Sequence, residues 1–447
     1  MHTRVRRIVF LAFFIAFFIS APIVVLYTAG YRFSWQYQTL VRTGLLSLAT
    51  IPKGATVILD GKYQKQTTPV LLNTLLPGLH EVRLEKEGYY PWKKILEIQE
   101  NTTTFMHTAV LFLQNNPLLT IPENFPAIAV DPQGKHIAYA REENEWTEIW
   151  SQDMTGAKPL LLRLPDSEFD DLTINWSPKG AYILIKEEQE AVCQWRVMSP
   201  DGQIRLDVNT LFSFPLSQVS FDPTWDHLLY ATDTQGVHLL DLLKQTTKLI
   251  APDSFAALQT EKGMITLETT GDRITVRKHT TEPENQILAY IPKEIYRFLP
   301  APEGYYLLET ASKKILLLDA SGADRPILLH TDANHVSWSP ENGRQLLYAN
   351  DFEIHIYDAD NHTDELLTRL SRPIGTVRWY PTAATVLYTD TTGLFAIELD
   401  RRDRRNVFTL GSWKSIEQMW IDPKGKKVFV VGSTETESGL FEVKLEK

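Results

Sequence analysis

The chain lacks the residues that several common kinds of protein need. Its 447 residues include one cysteine, Cys193, so neither an intramolecular disulfide nor a multi-cysteine metal site can form. The 11 histidines are scattered without metal-ligand spacing, and the chain contains no His-Glu-x-x-His, Walker loop or Gly-x-Ser-x-Gly motif. Basic residues are too few for general nucleic-acid binding, since 45 Lys and Arg against 55 Asp and Glu leave a net charge of -10. We therefore predict a non-enzymatic protein with no cofactor, no metal and no nucleic-acid partner.

The first feature that the chain does have is a long apolar run. Residues 8–29 carry no charge, and as a helix they would span about 33 Å, which is close to the thickness of a bilayer core. Arginines at positions 4, 6 and 7 precede the run, and such residues favour the cytoplasmic side of a membrane. We expect a cytoplasmic basic tail (1–7), one transmembrane helix (8–29) and a linker (30–44), with the bulk of the chain outside the cytoplasm.

A cleaved signal peptide is the alternative interpretation of this run. The two candidate cleavage sites follow Ile19-Ser20-Ala21 and Tyr27-Thr28-Ala29, and each has a bulky residue three positions before the cut. The apolar run is also longer than a usual signal core. Both observations favour an uncleaved membrane anchor.

Residues 45–113 alternate short apolar runs with turn residues, which predicts a small antiparallel β-domain. This segment resembles the PEGA domain family. The characteristic residues are Pro52-Lys53-Gly54-Ala55, Asp60-Gly61, Thr67-Thr68-Pro69, Leu75-x-Pro77-Gly78 and Glu87-Gly88-Tyr89. The resemblance implies a non-catalytic module of bacterial and archaeal cell-surface proteins. Tyr89, Tyr90 and Trp92 could form a binding patch, although a place in the small core is the simpler expectation.

A repeat occupies the rest of the chain. Its unit is an apolar strand ending in an aromatic residue, then Asp or Ser, Pro, any residue and Gly, then a second apolar strand. The prolines of the copies are Pro132, Pro178, Pro223, Pro302, Pro340, Pro381 and Pro423, with a degenerate copy near residues 259–263. The repeat length of about 40 residues fits a four-stranded propeller blade. Asp or Ser, Pro and Gly at these places also suit a type I turn.

The repeats predict an all-β fold with an eight-bladed β-propeller over residues 117–447, with seven blades as the alternative. The last copy ends without a fourth strand, and residues 117–120 have the pattern of the missing one. We therefore expect an N-terminal strand to complete the last blade and close the ring. The units resemble the blade repeats of TolB-like and WD40-like propellers, a resemblance that implies the fold and leaves the function open.

Two groups of charged residues are candidates for binding. Connections between second and third strands should lie on one face of a propeller, and many of them are acidic. These candidates are Glu142, Glu143, Glu187, Glu188, Glu190, Asp233, Asp351 and Asp390. A basic run falls on the opposite face: Arg401, Arg402, Arg404 and Arg405. Ordinary solvated loops would give the same pattern, and the functional interpretation is an acidic face for a cationic partner and a basic face for anionic lipid or polymer.

The sequence thus predicts a protein of the cell membrane with one span, whose propeller binds an envelope protein or a surface polymer. The alternative is an envelope enzyme, or an accessory subunit of one, that acts on a glycan or peptide in the propeller channel. Channel-facing carboxylates would favour the enzyme. A polar channel without them would favour a binding protein.

Overall fold

The computed structural model describes residues 3–34, 38–143, 146–154, 158–163, 169–190, 192–260, 263–279, 286–321, 325–382 and 384–447. The contacts divide the chain into two compact units. The first contains residues 1–115 and 396–408, and the second contains residues 116–395 and 409–445.

The first unit begins with helix α1 (Thr3–Thr28). Among the described residues, α1 contains one span long and apolar enough to cross a membrane, Val9–Thr28, and none of that span is buried. A two-stranded hairpin follows, formed by β1 (Tyr31–Ser34) and β2 (Thr39–Arg42).

The remaining strands of the first unit form two sheets. In spatial order, one sheet contains β6 (Val70–Leu75), β3 (Gly44–Ile51) and β9 (Thr103–Val110), with β3 and β9 parallel. The other contains β5 (Lys62–Thr67), β4 (Thr56–Leu59), β7 (Gly78–Glu85) and β8 (Trp92–Ile98). Their alternating inward residues, such as Leu46, Leu48, Val82 and Trp92, form a small buried core.

Among the described residues, 118–444 form eight four-stranded antiparallel sheets, and nearly all of these residues belong to the second unit. Residues 396–398 and 407–408 of the seventh sheet are part of the first unit. In the first seven, consecutive strands are neighbours. The first three sheets are β11 (Ile128–Val130), β12 (His136–Glu143), β13 (Trp146–Asp153) and β14 (Leu160–Arg163); β15 (Asp171–Trp176), β16 (Ile183–Gln189), β17 (Val192–Met198) and β18 (Arg205–Asp207); and β19 (Gln218–Phe221), β20 (Leu228–Asp233), β21 (Gly236–Asp241) and β22 (Thr246–Pro252). A short 3₁₀ helix, Val208–Leu211, follows β18.

The next four sheets continue the pattern. They are β23 (Ser254–Thr260), β24 (Gly263–Thr270), β25 (Arg273–His279) and β26 (Gln286–Pro292); β27 (Tyr296–Leu299), β28 (Tyr305–Thr310), β29 (Lys314–Asp319) and β30 (Ile327–Asp332); β31 (His335–Trp338), β32 (Gln345–Ala349), β33 (Glu353–Asp358) and β34 (Thr363–Arg369); and β35 (Ile374–Trp379), β36 (Thr385–Asp390), β37 (Gly393–Glu398) and β38 (Val407–Ser412).

The last sheet combines both ends of the second unit. Its spatial order is β10 (Leu118–Ile121), β41 (Ser438–Lys444), β40 (Lys427–Ser433) and β39 (Ser415–Ile421). Strand β10 pairs antiparallel with β41, with Leu118 opposite Glu442. An outer strand from the start of the unit therefore covers an edge that would otherwise be open.

The repeated turn shows why the sequence pattern recurs. In the first sheet the Gly134 N–H donates to the Asp131 carbonyl at 2.9 Å, and the Asp131 carboxylate accepts from the Lys135 N–H at 2.7 Å. Gly134 has φ +65°, a left-handed conformation that favours glycine. The turn in the last sheet repeats this arrangement with Asp422 and Gly425, at φ +68°.

Candidate binding surfaces

A cavity, which we call the central cavity, lies where the first strands of several sheets converge, the first strand being the one that begins each sheet's run of consecutive strands in the sequence. Its lining comes from β11, β15, β19, β27 and β39, with contributions from β16 and β17. Its volume is about 570 Å³. The polar part of the lining consists of hydroxyls and amides from Thr173, Asn175, Gln218, Ser220 and Gln418.

The charged side chains of the central cavity are basic. Lys186 and Arg297 line it, and no carboxylate does so among the residues that the structure describes. Arg297 is held from behind by Glu309, whose Oε2 lies 2.7 Å from the arginine Nε. Lys186 pairs with Glu188, and this hydrogen bond raises the pKa of Lys186. The cavity thus presents hydrogen-bond donors to an occupant.

Two aromatic side chains give the central cavity apolar contact area. Trp195 lies beside Lys186, with the ammonium 6.0 Å from the ring centroid, and Trp420 comes from β39. Trp195 is buried, and Trp420 is only partly buried, so Trp420 offers the more accessible ring face to an occupant. Hydrogen-bond donors beside an aromatic face suit a peptide or a hydroxyl-rich polymer.

Two more basic groups lie on neighbouring first strands. His335 is on β31 and Arg378 is on β35, and these strands contact each other. Burial lowers the pKa of Arg378. Burial and the positive charge of Arg378 lower the pKa of His335 to about 4. His335 is therefore neutral at pH 7.

The acidic candidates on β16 are engaged by basic residues of their own sheet and of the preceding sheet. Glu187 is buried and pairs with Arg196, and it accepts from the Arg163 Nε at 3.0 Å. Glu188 pairs with Lys186, and that hydrogen bond lowers the pKa of the Glu188 carboxyl. The expectation that both offer open negative charge is wrong for Glu187, because two arginines neutralise it.

The acidic candidates at the turns divide into two groups. Asp233 accepts from the backbone N–H of Gln235 at 2.7 Å, and Asp390 accepts from that of Thr392 at 2.6 Å. Both carboxylates therefore cap their turns and are not open to a partner. Glu142, Glu190 and Asp351 are exposed. Asp351 also accepts a hydrogen bond from the Asn334 amide. The side chain of Glu143 lies outside the described residues. An acidic face stays a prediction that depends on Glu142, Glu190 and Asp351.

The predicted basic run belongs to the first unit. Arg401 and Arg404 are exposed, and Arg405 is half-buried. Arg402 forms a bidentate pair with Asp400 and donates to the Phe105 carbonyl at 3.0 Å. Arg402 is exposed as well, although its guanidinium is already paired with Asp400, so a basic surface at this run stays a prediction.

Sequence reasoning missed a polar cluster in the same unit. Lys94 is fully buried and pairs with Glu398, which is also buried. Glu398 accepts from the Trp92 indole at 2.8 Å and from the Asn406 N–H at 3.0 Å. Lys94 also donates to the Asp400 carbonyl at 2.7 Å. The available signal was the alternation of β8, which places Lys94 on the same inward face as Trp92.

The sequence pattern alone does not show what the repeated tryptophans of the first strands do. The Trp379 indole donates to the carbonyl of Ser337, a residue of the preceding first strand, at 3.1 Å. The Trp176 indole makes the equivalent bond to Ala129 at 2.9 Å. Each of these side chains therefore links one sheet to the one before it.

Three other side chains with possible chemistry have structural surroundings. Cys193 is partly buried on β17, and burial raises the pKa of its thiol. His355 stacks on Tyr348 with ring centroids 4.9 Å apart. Asp358 accepts from the backbone N–H groups of the turn that leads into β34. Of the three candidates for a surface patch, Tyr89 and Trp92 lie buried in the core of the first unit, and Tyr90 is partly buried.

Two parts of the chain are similar to known proteins. Residues 43–109 match the family model described as PEGA domain. The chain is similar in structure to the C-terminal WD40 domain of Sif2, at 14% identity and a TM-score of 0.50, covering 74% of this chain and 99% of that chain. It is also similar to the Dos1 propeller, at 13% identity and a TM-score of 0.49, covering 74% and 94% respectively. No curated protein sequence matches the chain.

The likeness to the Sif2 domain concerns the fold alone, because so few residues are identical. It agrees with the four-stranded sheets of the second unit and confirms the prediction of a propeller. That the sheets close into a ring of eight blades stays a prediction. The chain therefore contains a PEGA domain at residues 43–109, and it carries a WD40-like β-propeller and an N-terminal apolar helix.

Proposed function

We propose that the chain is a membrane-anchored binding protein whose propeller is the platform for a partner in the cell envelope. The observation that carries the proposal is the exposure of α1. An apolar span, Val9–Thr28, with no part buried against protein is stable when lipid surrounds it. The tail (1–7) would be cytoplasmic, and the PEGA-like domain (45–113) and propeller (117–447) would be outside.

The central cavity is the proposed binding site of this platform. Lys186 and Arg297 supply hydrogen-bond donors, although their charges are paired with Glu188 and Glu309. Gln218 and Gln418 add neutral amides. The occupant would be a segment of an envelope protein or a surface polymer that is rich in hydrogen-bond acceptors.

The lining also distinguishes binding from catalysis. Hydrolysis of a glycan or a peptide commonly uses a pair of carboxylates, or a nucleophile beside a base. The described lining offers Lys186, Arg297, amides and hydroxyls. This set holds a ligand well and supports a non-enzymatic role.

Charge substitutions at Gln418 test the proposal with little risk to the fold, because this side chain is exposed within the cavity. The full chain with Gln418→Glu and with Gln418→Lys would be used to capture partners from detergent-solubilised native envelope, with quantitative mass spectrometry. We expect Gln418→Glu to lose a partner that the unmodified chain and Gln418→Lys both retain. Identical capture by all three proteins would contradict the cavity as the binding site.

A further inference from the structure

The start of the chain has an unusual charge distribution. The first acidic residue is Asp60, although the chain contains 55 Asp and Glu and has a net charge of -10. The preceding residues include five arginines and one lysine. Arg32 and Arg42 lie beyond the end of α1, where the positive-inside rule makes arginine unfavourable for a translocated segment. The positive-inside rule therefore does not account for these two arginines.

The hairpin of β1 and β2 is joined closely to the end of α1. The Ala29 N–H donates to the Val25 carbonyl at 2.9 Å, which continues the helix by one residue. The Thr43 N–H then donates to the Gly30 carbonyl at 3.0 Å, so the end of the hairpin returns to the end of the helix. A helix that ends at a membrane surface would thus hold this hairpin at the level of the lipid headgroups.

Arg32 lies at the carboxyl end of the helix. Its guanidinium donates to the carbonyls of Tyr27 and Tyr31, each at 2.8 Å, and lies 3.5 Å from the Tyr27 ring centroid. These contacts use part of the guanidinium and fix its place. The Tyr27 ring is itself exposed, as expected for an aromatic residue at the interface.

Arg42 lies on the other strand, opposite Tyr31, and therefore on the other face of the hairpin from Arg32. It is exposed, and its Nε donates to the Tyr31 hydroxyl at 2.9 Å. Within the described part of the chain, neither Arg32 nor Arg42 has a carboxylate within 4.0 Å. Phe33 and Leu40 of the same hairpin expose apolar side chains. The hairpin therefore combines uncompensated guanidinium groups with apolar residues.

We propose that Arg32 and Arg42 bind the phosphate groups of anionic phospholipids at the end of α1. The proposal rests on the proposed membrane anchor. A guanidinium can bind a phosphate through two parallel hydrogen bonds, and an apolar neighbour can enter the headgroup region. The contribution of a basic residue near an anionic surface corresponds to roughly a fivefold change in affinity, so the two together give about 25-fold.

The test uses the full chain in nanodiscs that contain equal amounts of phosphatidylglycerol and phosphatidylcholine, with native mass spectrometry of the lipids that stay bound. The variant is Arg32→Gln with Arg42→Gln. The matched control is Lys62→Gln with Lys65→Gln, which removes the same charge from exposed positions of β5. A second variant, with lysine at positions 32 and 42, keeps the charge and loses the two-pronged geometry.

We expect the unmodified chain and the control to prefer phosphatidylglycerol, and the glutamine variant to lose about 25-fold of that preference. The lysine variant should keep an intermediate preference, because it retains the charge but loses the two parallel hydrogen bonds. Incorporation of the chain without any preference, or with equal loss in the control, overturns the lipid site alone. Failure of the chain to enter nanodiscs overturns the anchor as well. Displacement of the lipid by millimolar inorganic phosphate would show a site for free phosphate and also overturn the proposal.

Discussion

Replacement of Lys94 by methionine should open the first unit locally. The side chain of Lys94 is fully buried and pairs with Glu398, which is 4% exposed. Methionine fills a similar volume but leaves the Glu398 carboxylate buried without its cation. The remaining donors to that carboxylate, from Trp92 and Asn406, are neutral.

The size of the effect follows from the burial. Removing one partner of a buried ion pair costs about 3 to 5 kcal/mol, because the other charge stays desolvated. Lys93 provides the matched control on the same strand, since it is 51% exposed and pairs with Glu81 at 2.7 Å. Loss of that exposed pair should cost less than about 1 kcal/mol. The double variant Lys94→Met with Glu398→Gln should recover part of the loss, because no unpaired charge remains.

Hydrogen exchange of the full chain in detergent, followed by mass spectrometry, measures this opening directly. Peptides that cover β8 and residues 399–406 should exchange roughly 100- to 4,000-fold faster in Lys94→Met, since 1.4 kcal/mol corresponds to a factor of ten. They should change little in Lys93→Met. Equal exchange in the two single variants would refute the reasoning that the buried pair holds this region.

Three further predictions concern the second unit. In thermal unfolding, Gly425→Ala should lower the stability of the second unit by about 1 kcal/mol more than Gly271→Ala does. Both glycines have a positive φ, but a Cβ at position 425 would lie 2.7 Å from the Tyr380 ring, whereas one at position 271 would meet nothing. Equal losses in the two variants would contradict the clash. His335 has an ordinary pKa of 6.5 when unfolded and about 4 when folded, so only the unfolded state gains a proton between these values. Stability should therefore fall by about 3 kcal/mol as the pH falls from 6.5 to 4, and denaturant titrations should show a weaker dependence in His335→Gln. Trp379→Phe should cost about 1 kcal/mol in the same titrations through the lost indole bond, and an unchanged midpoint would exclude that role.

The fold was predictable because its signals are local. The Asp131 turn is specified by residues within one five-residue segment, Asp131 to Lys135, and the same chemistry recurs at Asp422. Alternation of apolar residues then gives the strands on either side. The capping role of Asp233 and Asp390 is also local, since a glycine follows each by three residues. Negative charge alone does not distinguish such a capping residue from an open one.

The charged contacts were less predictable, because their partners are distant in sequence. Trp92 and Glu398 are separated by 306 residues. The lysine at position 94 looks like a solvent-facing residue until the inward face of β8 is known. Arg402 likewise has a local partner in Asp400 but a distant one in Phe105. Charge alone identified these side chains as candidates for binding. Only the tertiary contacts distinguish a charged side chain that is open to solvent from one that already has a partner in the protein.

The central claim is that α1 stays attached and holds the propeller at a membrane. The most direct measurement is the N-terminal sequence and intact mass of the protein purified from its native membranes after alkaline extraction. The account predicts a membrane-bound chain that still carries residues 8–29. A soluble chain that begins after Ala21 or Ala29 would contradict it and identify the apolar run as a cleaved signal.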